Sequence, residues 1–383
     1  MLLNGFESGG GFFPARFFVS SGPAIRRINA AGQKERKNHI LRLIDFMKTQ
    51  LDYRIPLLNP AGILAICLSL FALLLLPPSA SAASFFFSTG SPDGLIGTLS
   101  RPASAGLQTE TADDFVLSQC VVITEATFTG LIPSMAPLTS ITNVEVEFYH
   151  VFPTDSDTNR TITVPTRMNS PADIEISSAT RNSSADSLSF NPAVVNPVFT
   201  AMNSVVNGIH AGPPPFPFTG GEGPVTGEEV RITVTFSPPI LLSANHYFFR
   251  PEVGLNSGNF LWLSAPKPVN PPLFVGDLQS WIRNDNLAPD WLRIGTDITH
   301  QGPFNASFSL SGETDVMSMI NALVPCSGPA TGGTWKNHGQ YVSSVAHAAQ
   351  RLASEGCISQ QQKGKIVSAA ARSNCGKNKP KKH

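Results

Sequence analysis

Between residues 84 and 312 the chain keeps returning to a two-residue period. In Thr142–Tyr149, Val144, Val146 and Phe148 fall on one side and Glu145 and Glu147 on the other. The same alternation runs through Glu229–Phe236 and Ala306–Ser311. Successive strand side chains point to opposite faces, so each stretch reads as a strand with one apolar face. Cys120–Phe128, His246–Pro251, Phe260–Ser264 and Leu278–Ile282 are further strand candidates. Prolines separate them at Pro133, Pro153, Pro238-Pro239, Pro266 and Pro271-Pro272, and no helical period of useful length interrupts the series.

Many short strands with proline-rich turns predict an antiparallel β-sandwich, jelly-roll-like, over residues 83–312. That length is ample for one sizeable core or two small ones. The segment Asn196–Gly227 reads as a long surface loop, because Gly212–Gly221 is too rich in Pro and Gly for a sheet interior. Phe216 and Phe218 are its candidate contact residues.

The character of the chain changes at Cys326, after a linker at 313–325. In Trp335–Ala353 the apolar positions Val342, Val345, Ala346, Ala349 and Leu352 recur at helical spacing. Gly356 supplies a stop. Ser359 and Gln362 then form a capping-box pattern ahead of a second helix reaching about Ala371. The prediction for 326–376 is a small α-helical hairpin, with a basic tail at 377–383.

Of five cysteines, Cys67 lies in an apolar run near the N-terminus and four remain: Cys120, Cys326, Cys357 and Cys375. Four cysteines allow three pairings. A module of this size is marginal without a staple. Cys326 and Cys375 bracket the hairpin, and a bridge between them is worth about 4 kcal/mol in the chain-entropy model. Cys120 and Cys357 are then paired with each other or free.

Residues 47–82 have the layout of an export signal. Met47–Arg54 is the n-region, Ala61–Leu76 the apolar run, and Ala80-x-Ala82 the cleavage site. The apolar run is shorter than the roughly 20 residues of a membrane span. The alternative is an uncleaved anchor through residues 61–76, flanked by Arg26, Arg27, Lys34, Arg36, Lys37 and Arg42. Residues 1–46 read as a mis-assigned start or a cytoplasmic extension. Cleavage places the rest of the chain in the periplasm, the cell envelope or outside the cell, where disulfides persist.

The zero overall charge hides an asymmetry. Residues 83–325 carry 9 Lys+Arg against 22 Asp+Glu, whereas residues 326–383 carry 9 Lys+Arg against Glu355 alone. A short basic tail binds polyanions weakly, so specific nucleic-acid recognition is not expected.

Two stretches carry a resemblance. Thr111-Ala112-Asp113-Asp114-Phe115-Val116-Leu117, with the closing Phe308-Ser309-Leu310-Ser311-Gly312, resembles a group of secreted bacterial β-sandwich proteins of unassigned function. Gly332-Gly333-Thr334-Trp335-Lys336-Asn337-His338-Gly339, through to Cys375-Gly376-Lys377, looks like a Cys-bracketed C-terminal helical module appended to secreted bacterial proteins. The resemblance implies a secreted sandwich and assigns it no activity. The hydrophobic helix and arginine tail of sorting-type anchors are missing from the end of this sequence.

No catalytic constellation stands out. His338 and His347 are nine residues apart on one helix and face opposite ways, so they do not share a metal. Either could pair with Cys357 as a nucleophile, but a secreted cysteine near others is more often bridged. Asp113 and Asp114 are adjacent on a strand and cannot act together as acid and base. Either one suits calcium or a structural bond, and Ca²⁺ is the one cofactor the residues suggest. Asp155–Asn159 opens like a calcium loop, but Arg160 stands where Gly is required and Thr166 where Glu is required, which leaves a polar turn. Glu228-Glu229 read as solvated. Trp262, Trp281, Trp291 and Tyr247, with Tyr149, are the candidates for a sugar-stacking platform, against the alternative that aromatics this large are core. No nucleophile elbow, P-loop, zinc-protease motif or dinucleotide fingerprint occurs.

The expected function is therefore an exported, non-enzymatic envelope or extracellular binding protein whose ligand is a glycan or another surface polymer. A secreted polysaccharide hydrolase and a purely structural envelope component are the alternatives. Two carboxylates across an aromatic-lined cleft would favour the hydrolase.

Overall fold

The computed structural model describes residues 84–103, 106–209, 219–266 and 279–377. The export signal, residues 1–46, Phe216 and Phe218, and most of the basic tail lie outside these residues.

The first strands are β1 (Ser84–Ser88), β2 (Ile96–Leu99), β3 (Thr109–Val116), β4 (Val121–Ile132) and β5 (Ile141–Val151). They are followed by β6 (Pro171–Glu175), β7 (Arg181–Asn182), β8 (Leu188–Ala201), β9 (Asn203–Val205) and β10 (Val225–Leu242). The series closes with β11 (His246–Leu255), β12 (Leu261–Ala265), β13 (Trp281–Asn284), β14 (Leu292–Arg293), β15 (Asn305–Ala306) and β16 (Phe308–Glu313). Three helices end the chain: α1 (Val316–Leu323), α2 (His338–Ser354) and α3 (Gln360–Arg372). The protein is mainly β, as the alternation predicts.

The strands make two sheets. The nine-stranded sheet runs β1-β16-β4-β12-β2-β9, with β10 between β4 and β8 and with β15 on β12. The seven-stranded sheet runs β14-β13-β3-β11-β5-β6, with β7 on β5. Pairing is antiparallel except for β2 with β9. Phe128, Ile232, Trp262 and Phe308 from the larger sheet meet Phe115, Val146, Phe148 and Phe249 from the smaller in one core. The apolar face of each alternating stretch is buried here, which makes the architecture sandwich-like.

Two segments depart from the sequence reading. Asn196–Ala201, expected in a loop, continues β8 and pairs with Val225–Glu229 of β10. Among the described residues β8 pairs only with β10 and so lies at an edge, where Pro192 and Pro197 are tolerated. Pro238-Pro239, expected to end a strand, sits inside β10, where the register with β4 shifts between Thr235 and Ile240. The bulge takes both prolines out of the ladder. The Arg181 guanidinium donates to the Pro238 carbonyl at 2.8 Å and the Pro239 carbonyl at 3.4 Å.

The expected linker also contains structure. Asp315 caps α1, its carboxylate accepting from the Met317 and Ser318 amides. Met319 and Ile320 of α1 pack with Val122 and Leu241 of the sandwich and with Trp335, Tyr341, Val345, Leu352 and Ile366 of the hairpin. The capping box at Ser359 and Gln362 is formed as predicted. Cys326 is bonded to Cys375, and Cys120 to Cys357. The second bridge ties the turn between α2 and α3 to the start of β4. No helix among the described residues is long and apolar enough to cross a membrane.

Candidate functional site

The aromatic residues expected to form a binding platform do not form one. Trp262 and Trp281 are 0% exposed, Trp291 1% and Tyr247 2%. Their area is more favourably removed from water than displayed to it. Trp262 donates Nε1–H to the Ser307 carbonyl at 2.9 Å and lies edge-on to Phe249. Trp291 donates to the Ala172 carbonyl at 3.2 Å, and the Tyr247 hydroxyl bonds the Ser243 carbonyl at 3.1 Å.

Asp113 and Asp114 face opposite sides of β3, so they cannot share an ion. Asp113 accepts from Ser280 Oγ at 2.8 Å and from the Ala306 amide at 3.0 Å. It thereby links strands of both sheets, and burial pushes its carboxyl well above the usual range, with Asp114 adding to the rise. Asp114 meets His246 Nε2 at 3.0 Å on the other face. Asp155–Asn159 is a turn: Asp155 contacts His150 and Asp157 accepts from its own Asn159 amide. No group of three or more His, Cys, Asp or Glu side chains arranged to hold a metal occurs among the described residues. His338 packs against α3, its ring nitrogens 2.7 Å from the Cys375 carbonyl and 3.0 Å from the Ala371 carbonyl, and Cys357 is consumed in its disulfide.

Two polar constellations emerge instead. The first lies on the face of the seven-stranded sheet turned away from the core. Cross-strand pairing puts Arg250 beside Glu147, Glu252 beside Glu145, and Arg283 beside Glu110. Arg250 is bonded to Glu110 and lies 3.2 Å from Glu147 and 3.1 Å from Glu252, while Arg283 bonds the other Glu110 oxygen. The Tyr149 hydroxyl donates to Glu147 at 2.6 Å. Arg283 also stacks over Trp291 at 4.2 Å. Near this face Arg160 and Arg167 bind Asp290 and Asp173, and Thr163 donates to Asp290.

The electrostatics of this cluster are split. Burial pushes the Glu110 carboxyl up, but Arg250 and Arg283 outweigh it and bring it down to about 2. Burial dominates at Glu147 and Glu252, which stand at about 7 in spite of Arg250. With four glutamates around two arginines, the arrangement is most stable when it keeps a proton. The alternation puts Glu145 and Glu147 on the face opposite Val144, Val146 and Phe148 and gives no sign that this face is covered. The overlooked signal is Arg250 inside Phe248–Glu252, a charge in the middle of an otherwise core-forming strand.

The second constellation is open. On the outer face of the larger sheet a groove of about 460 Å³ crosses from β1 to β8. Thr127 and Thr129 of β4, Ser309 of β16, and Glu229 and Arg231 of β10 line it. Ser88 and the Gly90–Pro92 turn bound one side, and Val195 and Phe199 of β8 the other. Pairing fixes the rungs, with Arg231 opposite Thr129 and Ser309 opposite Thr127. Five strands at ~4.8 Å spacing make it roughly 19 Å across. Burial raises the Glu229 carboxyl against the pull of Arg231. Sequence reasoning missed this site because its residues come from separate strands and each is an ordinary outward-facing position.

No family model, curated protein or solved structure matches the chain.

Proposed function

We propose that the chain is a non-enzymatic binding protein working outside the cytosol, and that the groove over β1, β16, β4, β10 and β8 takes a stretch of polysaccharide. The observation that carries this reading is the lining. Hydroxyls of Thr127, Thr129, Ser88 and Ser309 offer donors and acceptors to sugar hydroxyls, Arg231 and Glu229 add charged partners, and Phe199 adds an apolar face. The volume, about 460 Å³, is that of a small-ligand site. Both disulfides suit an oxidising compartment. Among the described residues Glu229 is the one carboxylate lining the groove, whereas glycoside hydrolysis by the common mechanisms uses two.

The test is retention of the purified protein on a polysaccharide panel, with and without Ca²⁺, with released reducing sugar measured in the same wells. Retention without sugar release, lost in Thr129→Ala/Arg231→Ala, supports the reading. Retention that survives this double substitution removes the groove from it.

A secreted polysaccharide hydrolase is the second reading. One observation favours it: Glu110 at about 2 and Glu147 and Glu252 at about 7 is the split expected of a base and an acid. These carboxylates are enclosed by Arg250, Arg283 and Tyr149 and do not line the groove. Sugar release abolished by Glu147→Gln would establish this reading in place of the first.

A further inference from the structure

We infer a second binding surface, on the helical hairpin, for an acidic polysaccharide. The inference starts from how the cations of the two parts are used. In the sandwich, Arg160, Arg167, Arg250, Arg283 and Arg293 have carboxylate partners, Arg101 bonds Asn259, Arg181 bonds backbone carbonyls, and Arg231 in the groove is the exception, with Glu229 near enough to feel its charge. From Cys326 to Lys377 there are six cations, Lys336, Arg351, Lys363, Lys365, Arg372 and Lys377, and one acid, Glu355. None of the six has a salt bridge among the described residues. Where a hydrogen bond forms, the acceptor is neutral: Lys363 bonds Gln350, and Lys377 bonds Asn374 at 3.1 Å. Five of the six are exposed and Lys363 is half-buried.

The helices spread these charges over both ends and more than one face of the hairpin. α2 and α3 run antiparallel, because His338 at the start of α2 contacts Ala371 near the end of α3. Lys336, Arg372 and Lys377 therefore gather at one end and Arg351 and Lys363 at the other, with Lys365 between them. Lys365 and Arg372 are seven residues apart and share a face. The 13 residues of α3 span about 20 Å. Arg351 also lies close enough to Arg181 to help hold that guanidinium down to about 10, burial being the larger cause. Unrelieved like charges repel, and an extended ligand bearing a negative charge at intervals relieves them.

The chemistry favours acidic sugar over single-stranded nucleic acid. Non-specific single-strand binders stack bases on exposed aromatics. The aromatic residues of this unit, Trp335 and Tyr341, are buried in its core. What remains is charge, hydroxyl and amide, which suits carboxylate-bearing sugar units. This inference does not rest on the groove, and either can fail alone.

The experiment uses the full chain, with polygalacturonate, neutral dextran and duplex DNA as probes at 50 and 200 mM NaCl. The expected result is retention on polygalacturonate that falls at least tenfold at the higher salt, with none on dextran through this surface. Arg351→Gln/Lys363→Gln/Lys365→Gln/Arg372→Gln should lose at least tenfold at 50 mM with an unchanged melting temperature. Lys363→Arg/Lys365→Arg should retain binding, and Thr129→Ala/Arg231→Ala should change it less than twofold. Polygalacturonate retention that is unaffected by the quadruple substitution overturns the inference, as does tighter binding to duplex DNA than to polygalacturonate.

Discussion

Arg250 Nη2 lies 3.2 Å from Glu147 Oε2, yet the Glu147 carboxyl titrates near neutrality. The attraction is real, but Glu110 and Glu252 compete for the same guanidinium. Burial decides the outcome, because a third carboxylate at one cation gains too little to offset its lost hydration.

This predicts a stability maximum at mildly acidic pH. Glu147 and Glu252 are raised from 4.5 to about 7, so the folded state holds more protons and stability falls as pH rises through that window. Glu110 is lowered from 4.5 to about 2, so its contribution is complete above 4.5 and is lost as pH falls toward 2. Melting temperature measured from pH 3 to 9 should peak near the ordinary carboxylate value. Glu147→Gln should flatten the alkaline decline, by on the order of 3 kcal/mol at pH 8. A flat profile in the unsubstituted protein would contradict the assignment.

Removing the cation should be far worse than removing one acid. Arg250→Leu leaves Glu147 and Glu252 buried with no cation beside them, and Glu110 with Arg283 alone. Urea denaturation should show a loss of about 3–5 kcal/mol at pH 7, part of which returns at pH 5 as the glutamates protonate.

The four aromatics should behave as core and not as ligand contacts. Trp262→Ala should cost about 3–5 kcal/mol. At a temperature where the variant stays folded, its polysaccharide retention should match that of the unsubstituted protein. A selective loss of retention without loss of stability would reinstate the stacking platform.

Gly130 is a close-approach position beside the groove floor. A Cβ there would stand 2.3 Å from the Phe260 ring and 2.6 Å from the Leu261 carbonyl. Gly130→Ala should therefore destabilise by about 1–3 kcal/mol, read as a lowered urea midpoint. Gly364, with open space around it, is the control: Gly364→Ala should be neutral or stabilising in its helix.

What was legible in the sequence was whatever depends on short-range periodicity. Val144, Val146 and Phe148 announced both strand and core face, and Ser359 and Gln362 announced the start of α3. The bracketing of the hairpin by Cys326 and Cys375 announced their bond. What was not legible depends on which faces end up covered. Glu145 and Glu147 have the pattern of a solvent face, and only the partners Arg250 and Arg283, more than a hundred residues away, make burial tolerable. Pro238-Pro239 of β10 misled for a related reason. A proline is excluded from a ladder, but an edge or a bulge removes the exclusion, and neither is visible locally. The groove has no linear signature, since Thr129, Arg231 and Ser309 become neighbours only through pairing.

The strand that opens the sandwich pairs with the one that closes it, Ser84 with Glu313 and Ser88 with Ser309. Cys120 likewise waits for Cys357. A chain that emerges from its amino end therefore holds β1 without its neighbour until almost everything else has appeared. Contacts this distant in sequence slow folding. The interval before they close is when the apolar face of Phe85 and Phe87 is open to wrong partners, and the last third of the chain sets when that interval ends.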